Sequence, residues 1–155
     1  MSHIRVLLAD DNELVRESLA ELLTAAGDVD VVAACTDGDE VVPAAERTHP
    51  DVVVLDLAMP RMGGLEAGRR LLAVQPEARV VILTATLTPD AVREARTIGA
   101  VGYLLKDDDP VQLPGALRAV AAGGTAWATG TEASEDIPFL AESPFPPTEG
   151  DGETE

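Results

Sequence analysis

The sequence is poor in cysteine, aromatic residues and positive charge, and each shortage excludes a class of protein. A single cysteine, Cys35, cannot form an internal disulfide framework or a cysteine-based structural zinc site. Aromatic residues make up only 3% of the 155 residues, so an aliphatic core is expected. The 28 acidic residues outnumber the 11 basic ones and give a formal charge of −17, which argues against direct binding to nucleic acids or anionic membranes.

Long hydrophobic runs are also missing. No apolar run approaches the roughly 20 residues that span a bilayer. The first residues enter a strand-like segment at once and lack the pattern of a signal peptide. We therefore expect a soluble protein of a reducing compartment, the cytoplasm, with no membrane partner.

The acidic residues are concentrated at the C-terminal end. Residues 131–155 hold eight of the 28 acidic residues, none of the 11 basic ones and four prolines. Such a composition cannot offset the entropy that is lost when a chain becomes ordered. The sequence therefore predicts a globular domain over residues 1–125 and an acidic, proline-containing, disordered tail over residues 126–155.

Short apolar runs alternate with segments of helical periodicity in the predicted domain. The runs are Ile4–Ala9, Val29–Ala34, Val52–Leu57, Val80–Leu83 and Val101–Leu105. Three of them are continuous rather than alternating, as in strands that are buried on both faces. Asn12 and Thr88 are the expected N-caps of two of the helices, and Pro114-Gly115 is expected to delay the start of the fifth. Five strand–helix units predict an α/β fold: a doubly wound, five-stranded parallel sheet with helices on both faces.

Polar residues lie at the ends of four of these runs or directly after them, where open parallel sheets carry their working residues. They are Asp10, Asp11, Asp56, Thr84 and Lys106. Three crowded carboxylates repel one another unless a cation is present, and oxygen ligands suit Mg²⁺. Lys106 is the only lysine in a chain that otherwise uses arginine. The combination predicts a phosphoryl-transfer site in which Asp56 is the nucleophile, while the metal and Lys106 neutralise the transferring oxygens and Thr84 hydrogen-bonds one of them.

Single residues of this set also have simpler explanations. An acidic residue at a strand end often caps the next helix, and Asp11 could do so. Thr84 could be an ordinary strand-end residue. The occurrence of all five residues together is a much stronger indication than any one of them.

The motifs around these residues resemble the receiver domains of two-component response regulators. The resemblance covers about residues 3–125 and is carried by LLADDN, VVVLDLAMPRMGG, ILTA and GYLLK. It implies a flavodoxin-like fold with strand order 2-1-3-4-5. It also implies that Asp56 accepts a phosphoryl group from a phosphohistidine of a sensor histidine kinase. Mg²⁺ would be held by Asp11, Asp56 and the backbone carbonyl of Ala58, with Asp10 acting largely through water.

The same resemblance implies a switch behind the phosphorylated residue. Lys106, Thr84 and the backbone of Ala85 would bind the phosphoryl group. Thr84 would move toward that group and Tyr103 would rotate inward behind it. The fourth helix, fifth strand and fifth helix would form the face that reports the change.

Two features depart from the family pattern. Asp107 replaces the proline that usually follows the lysine, and two more acidic residues come after it, which could weaken metal or phosphate affinity. A Lys-Asp pair is familiar in the NarL/LuxR-type subgroup. The stretch LPGALRAVAAGGTAW also resembles that subgroup, in the segment that leads into a helix-turn-helix output domain. Here the acidic tail follows instead.

The leading hypothesis is a stand-alone, phosphorylation-driven signalling switch whose output is contact with an unknown protein or a second copy of itself. It would catalyse only its own phosphorylation and dephosphorylation, and it would not be a conventional enzyme. An alternative is the receiver part of a NarL/LuxR-type transcriptional regulator without its DNA-binding domain. A true phosphatase or phosphotransferase would need a cap or substrate pocket, for which so short a chain leaves no room. A degenerate receiver that binds partners constitutively is the last alternative, and the complete acidic set argues against it.

Four residues outside this site have modest expectations. Trp127, the single tryptophan, should pin the segment that follows the last helix to the fold. Cys35 should be an inert buried thiol. His3 and His49 have no partners at metal-ligand spacing and should be surface residues or histidines with satisfied hydrogen bonds.

Overall fold

Strands and helices alternate along the chain, and the computed structural model describes them over residues 3–131. The strands are β1 (Ile4–Ala9), β2 (Val29–Cys35), β3 (Val52–Leu55), β4 (Arg79–Thr84), β5 (Gly102–Leu105) and β6 (Ala126–Trp127). The helices are α1 (Glu13–Ala25), α2 (Val41–Thr48), α3 (Gly64–Val74), α4 (Pro89–Ile98) and α5 (Leu113–Ala121). Within this part of the chain no helix has the length and apolar character needed to cross a membrane. The predicted disordered tail covers residues 126–155, of which residues 132–155 lie outside the described residues.

All strands run parallel in one sheet of order β2-β1-β3-β4-β5-β6. The predicted order of the first five strands is confirmed, whereas the predicted number of five is wrong. The sixth strand has only two residues, Ala126 and Trp127, which is too short to give an apolar run in the sequence. Its position comes from backbone pairing with β5, because the Ala126 N–H donates to the Val101 carbonyl at 2.9 Å. Strand β6 lies beyond residue 125, where the sequence analysis ended the globular domain.

The sheet is covered on both faces, as the continuous apolar runs predict. Successive strand residues point to opposite sides, so Leu7 packs in one cluster while Val6 and Leu8 pack in the other. Helices α2, α3 and α4 contribute side chains to the first cluster, and α1 and α5 contribute to the second. Strand β3 is buried along its whole length. Asp56 directly follows this buried central strand and therefore lies at the edge of the sheet where the strands end.

The predicted helix caps are present. The Asn12 side chain accepts a hydrogen bond from the Val15 N–H, and the Thr88 hydroxyl accepts one from the Ala91 N–H. Before α5, a 3₁₀ turn spans Pro110–Gln112, and α5 itself begins one residue before Pro114. A proline in the first helical turn costs no hydrogen bond, because its missing N–H would have no helical partner there. The α-helix itself begins three residues after Pro110, which is the delayed start that the sequence predicts.

Candidate functional site

The ends of β1 and β3 bring three carboxylates together at one edge of the sheet. The backbone pairing of the strands continues past their ends, since the Asp10 N–H donates to the Cys35 carbonyl at 3.1 Å and the Asp56 N–H donates to the Ala9 carbonyl at 3.0 Å. Asp10, Asp11 and Asp56 each offer a carboxylate oxygen, and these oxygens lie within 4.8 Å of one another. Asp10 is 1% exposed and Asp56 is 8% exposed, whereas Asp11 faces solvent.

Lys106, at the end of β5, places its ammonium group among these carboxylates. Its Nζ lies 2.5 Å from Oδ2 of Asp10 and 3.4 Å from Oδ2 of Asp56. The Lys106 N–H donates to the carbonyl of Thr84 at 2.8 Å, which ties the lysine to the end of β4. The side chain of Lys106 is 21% exposed, so its ammonium group is only partly accessible to solvent. The sequence prediction that Asp10, Asp56 and Lys106 converge is thus met by the geometry.

The Asp10 carboxylate is held at both of its oxygens. Oδ1 accepts a hydrogen bond from the Asn12 N–H at 2.9 Å, while Oδ2 contacts Lys106. The carbonyl of Asp10 accepts a hydrogen bond from the Arg16 guanidinium at 2.7 Å. The start of helix α1 therefore fixes the orientation of the Asp10 carboxylate.

The electrostatics of the site favour an added cation. Burial raises the pKa of Asp56, and the charge of Asp10 raises it further, while Lys106 acts in the opposite direction. Burial also disfavours the charged form of Lys106, but its contacts with Asp10 and Asp56 outweigh burial and raise its pKa. With the carboxylates ionised, one ammonium leaves an excess of negative charge. Oxygen ligands with such an excess suit a hard divalent ion.

The predicted switch residues, Thr84 and Tyr103, both hydrogen-bond to the backbone of Thr86. Thr84 is buried, and its Oγ1 lies 3.4 Å from the Thr86 backbone nitrogen, which donates to it. Tyr103 is fully buried, and its hydroxyl donates to the Thr86 carbonyl at 2.7 Å. Burial raises the pKa of the Tyr103 phenol. Thr86 carries no signal of its own in the sequence, because its part depends on the path of the loop after β4.

The loop residues predicted to act through their backbones are accessible. Ala58 and Ala85 are both exposed; Ala58 lies three residues after the end of β3, and Ala85 directly follows β4. Helix α3 begins against the end of β3, where a Cβ on Gly64 would lie 2.1 Å from the carbonyl oxygen of Asp56. Only glycine permits this close approach of α3 to the end of β3.

The acidic residues after Lys106 do not form ion pairs with its ammonium group. Asp107, Asp108 and Asp109 are exposed, and the Asp109 carboxylate accepts a hydrogen bond from the Val111 N–H at 3.0 Å. Among the described residues, the ion pairs of Lys106 are those with Asp10 and Asp56. Asp109 therefore serves as a cap before α5.

The expectations for the four residues outside the site are met. Burial raises the pKa of the Cys35 thiol to about 11, so it is protonated at neutral pH. The Trp127 ring pins its segment to α4, since the guanidinium carbon of Arg96 lies 3.8 Å from the ring centroid. His3 and His49 are exposed, and His3 contacts Asp30.

Known proteins are similar to the chain in both sequence and fold. Residues 6–118 match the family described as the response regulator receiver domain. The chain is 42% identical over 130 residues to the uncharacterized transcriptional regulatory protein YxjL of Bacillus subtilis, covering 84% of this chain and 60% of the relative. It is 37% identical over 118 residues to the nitrate/nitrite response regulator protein NarL of Escherichia coli K12, covering 76% of this chain and 55% of the relative.

Solved structures give the same result. A LuxR-family two-component response regulator from Aurantimonas sp. SI85-9A1 superposes with a TM-score of 0.81 at 34% identity, covering 86% of this chain and 95% of that one. The signal receiver domain of the putative response regulator NarL from Mycobacterium tuberculosis gives a TM-score of 0.76 at 32% identity, covering 79% of this chain and 99% of that one. The chain spans 55% to 60% of the length of the two curated relatives named above. The chain belongs to the response regulator receiver domain family of two-component systems, and within it to the NarL/LuxR type.

Proposed function

We propose that the chain is a Mg²⁺-dependent phosphoryl acceptor and that Asp56 is the residue that becomes phosphorylated. The observation that carries the proposal is the position of the Lys106 ammonium, 2.5 Å from Asp10 and 3.4 Å from Asp56, within a cluster of three carboxylates. A lysine beside a carboxylate nucleophile is suited to receive a phosphoryl oxygen when the group arrives. The donor would be a phosphohistidine of a sensor histidine kinase in the cytoplasm.

Mg²⁺ fits the residues present. Asp10, Asp11, Asp56 and the carbonyl of Ala58 would hold it, because the three carboxylates carry more negative charge than Lys106 offsets. The bound ion would neutralise negative charge on the oxygens of the transferring phosphoryl group.

The side chains of the chain itself account for the remaining chemistry. A carboxylate oxygen of Asp56 would form the new bond to phosphorus as the bond to the histidine nitrogen breaks. Lys106 keeps its proton at neutral pH, since its pKa is raised, and would pair with a phosphoryl oxygen. The Thr84 hydroxyl and the Ala85 N–H would donate to the other oxygens. Acceptance and later loss of this group would be the chain's only catalysed reactions.

Intact mass spectrometry after incubation with a small phosphodonor tests this proposal. Wild type with Mg²⁺ should gain one phosphoryl group, and the Asp56→Asn variant should gain none. Asp30→Asn is the matched control, because Asp30 is an exposed carboxylate on β2 whose side chain contacts His3. An Asp56→Asn variant that is labelled as fast as wild type would overturn the assignment. A wild type that neither binds Mg²⁺ nor gains a group would support the degenerate-receiver alternative.

The output of the switch has two candidates. Contact with another protein, or with a second copy, is the first, and Tyr103 and Thr84 would transmit the change to the face formed by α4, β5 and α5. The second is a DNA-binding transcriptional regulator of which this chain is the receiver part. It is favoured by the name of YxjL, a transcriptional regulatory protein, and by the greater length of both curated relatives. Size-exclusion chromatography with a phosphoryl analogue such as beryllofluoride tests self-association. A gene whose reading frame continues into a helix-turn-helix domain would decide for the second candidate.

A further inference from the structure

The loop that follows Asp56 is fastened to a buried carboxylate on a neighbouring loop. We define residues 57–63 as the acceptor loop. Asp37 is 1% exposed, and its Oδ1 accepts hydrogen bonds from the Gly38 N–H at 2.7 Å and the Met62 N–H at 2.8 Å. Its Oδ2 accepts a third from the Arg61 N–H at 2.9 Å. One side chain thus satisfies two successive backbone donors of the acceptor loop.

The backbones of the two loops also touch directly. The Gly38 N–H donates to the Met62 carbonyl at 3.1 Å. A Cβ at residue 38 would lie 2.2 Å from that same carbonyl oxygen, so the approach requires glycine. The contact therefore depends on both residues of the Asp37-Gly38 pair.

A second connection between these loops lies on the surface and should contribute less to holding the acceptor loop in place. The Arg61 guanidinium donates to both oxygens of Asp39, at 2.7 and 3.0 Å. These side chains are 61% and 41% exposed, and exposed ion pairs contribute little to stability. For Asp37, burial works against its charge, but the three backbone N–H groups outweigh burial and lower its pKa. Asp37 is therefore charged at neutral pH, and charge-assisted bonds of this kind are strong.

The acceptor loop is held at its base as well. The Gly64 N–H donates to the Leu57 carbonyl at 2.9 Å, which closes the loop behind Asp56. Along the chain, Ala58 lies between this closure at Leu57 and the residues Arg61 and Met62, whose N–H groups donate to Asp37. The position of the Ala58 carbonyl, an expected metal ligand, is thus set from both sides.

We propose that Asp37 is a positioning residue of the phosphorylation site. It holds the acceptor loop in the shape that presents the Ala58 carbonyl to Mg²⁺, and it touches neither the metal nor the phosphoryl group. This inference rests on the proposed function of Asp56.

The test measures the Mg²⁺ concentration that gives half of the maximal rate of phosphorylation by a small phosphodonor. Asp37→Ala removes all three bonds and should raise that concentration by about 10- to 100-fold, the usual cost of losing a residue that supports a metal ligand. Asp37→Asn keeps one acceptor oxygen and should raise it less. Asp30→Asn changes the same type of group outside both loops and should leave it unchanged. Isothermal titration with Mg²⁺ alone should give the same order of affinities.

The outcomes separate this inference from the proposed function. If wild type is labelled at Asp56 and Asp37→Ala keeps the wild-type Mg²⁺ dependence, the positioning role is wrong, even if the variant unfolds at a lower temperature. If wild type is not labelled at Asp56, the proposed function fails first. Thermal unfolding identifies the temperature range in which each variant is folded, and the Mg²⁺ dependence is measured within that range. Should Asp37→Ala not fold at all, the Mg²⁺ dependence of Asp37→Asn decides.

Discussion

The hydroxyl of Tyr103 and the carbonyl of Thr86 form a 2.7 Å hydrogen bond that ties a fully buried ring to the loop after β4. The Thr86 N–H donates in turn to Oγ1 of Thr84, at 3.4 Å. Movement of Thr84 toward a phosphoryl group is therefore expected to reach Tyr103 through the backbone of Thr86. The two predicted switch residues are thus linked through the backbone of Thr86.

Tyr103→Phe should lower the free energy of unfolding by about 1 kcal/mol, because it removes one hydrogen bond and keeps the ring. Tyr103→Ala should lower it by about 3 to 5 kcal/mol, because it leaves a cavity in the core. Urea denaturation followed by circular dichroism measures both. Val111→Ala is the control, since Val111 is 71% exposed. A Phe variant that loses as much stability as the Ala variant would show that the hydroxyl matters more than the packing of the ring.

Asp56→Asn should stabilise the fold at neutral pH in the absence of Mg²⁺. The folded-state pKa of Asp56 is raised above its usual 3.8, so folding favours the protonated form. The resulting contribution to stability is present below pH 3.8 and is lost as the pH rises through the folded-state pKa. Asparagine does not ionise and escapes this loss.

Unfolding free energies of wild type and Asp56→Asn, measured from below the usual pKa of 3.8 up to neutral pH, check this expectation. The difference between the two proteins should grow with pH and shrink when Mg²⁺ is added to wild type. A difference that is independent of pH would show that Asp56 titrates normally in the folded protein.

Lys106→Met should destabilise the Mg²⁺-free protein by about 3 kcal/mol, since it leaves the carboxylates of Asp10 and Asp56 close together without their cation. The same variant should bind Mg²⁺ more tightly than wild type, because the ammonium no longer competes for Asp10. Thermal unfolding over a Mg²⁺ titration measures both effects. Arg70→Met is the control, because Arg70 pairs with Glu66 on the exposed side of α3. Equal stabilisation of wild type and Lys106→Met by Mg²⁺ would contradict the competition.

The sequence was sufficient for those features that depend on residue type and on spacing along the chain. Continuous apolar runs predict β1 and β3, and the polar residues directly after them, Asp10 and Asp56, meet because parallel strands end at the same edge of a sheet. Lys106 was identifiable because no other lysine is present. The first five strands needed no information beyond these patterns.

Features that arise from backbone geometry were not predicted. Thr86 acts through its carbonyl and N–H, which any residue carries. Asp37 precedes a glycine in a loop and looks like a turn residue, although its carboxylate reaches Arg61 and Met62, 24 and 25 residues further along. Strand β6 is two residues long. Each depends on a distant part of the chain that local patterns do not reveal.

Strand β6 is expected to stabilise the end of the folded domain. Its pairing places the Ala128 N–H 2.9 Å from the Tyr103 carbonyl, and its Trp127 ring stacks with Arg96 of α4. A chain ending at residue 125 should therefore lose about 2 to 3 kcal/mol of unfolding free energy relative to one ending at residue 131, because the tryptophan surface is no longer buried and the edge of β5 is uncovered. Both chains contain every residue of the candidate site, so both should still bind Mg²⁺.

Urea denaturation followed by circular dichroism compares the two chains, since the shorter one has no tryptophan to report unfolding. A Trp127→Ala variant of the longer chain separates the contribution of the ring from that of the backbone pairing. It should fall between the two truncated chains, because it keeps the hydrogen bonds to β5. Equal stability of the two chains would mean that β6 adds nothing to the fold and that residue 125 is a sufficient end for the domain.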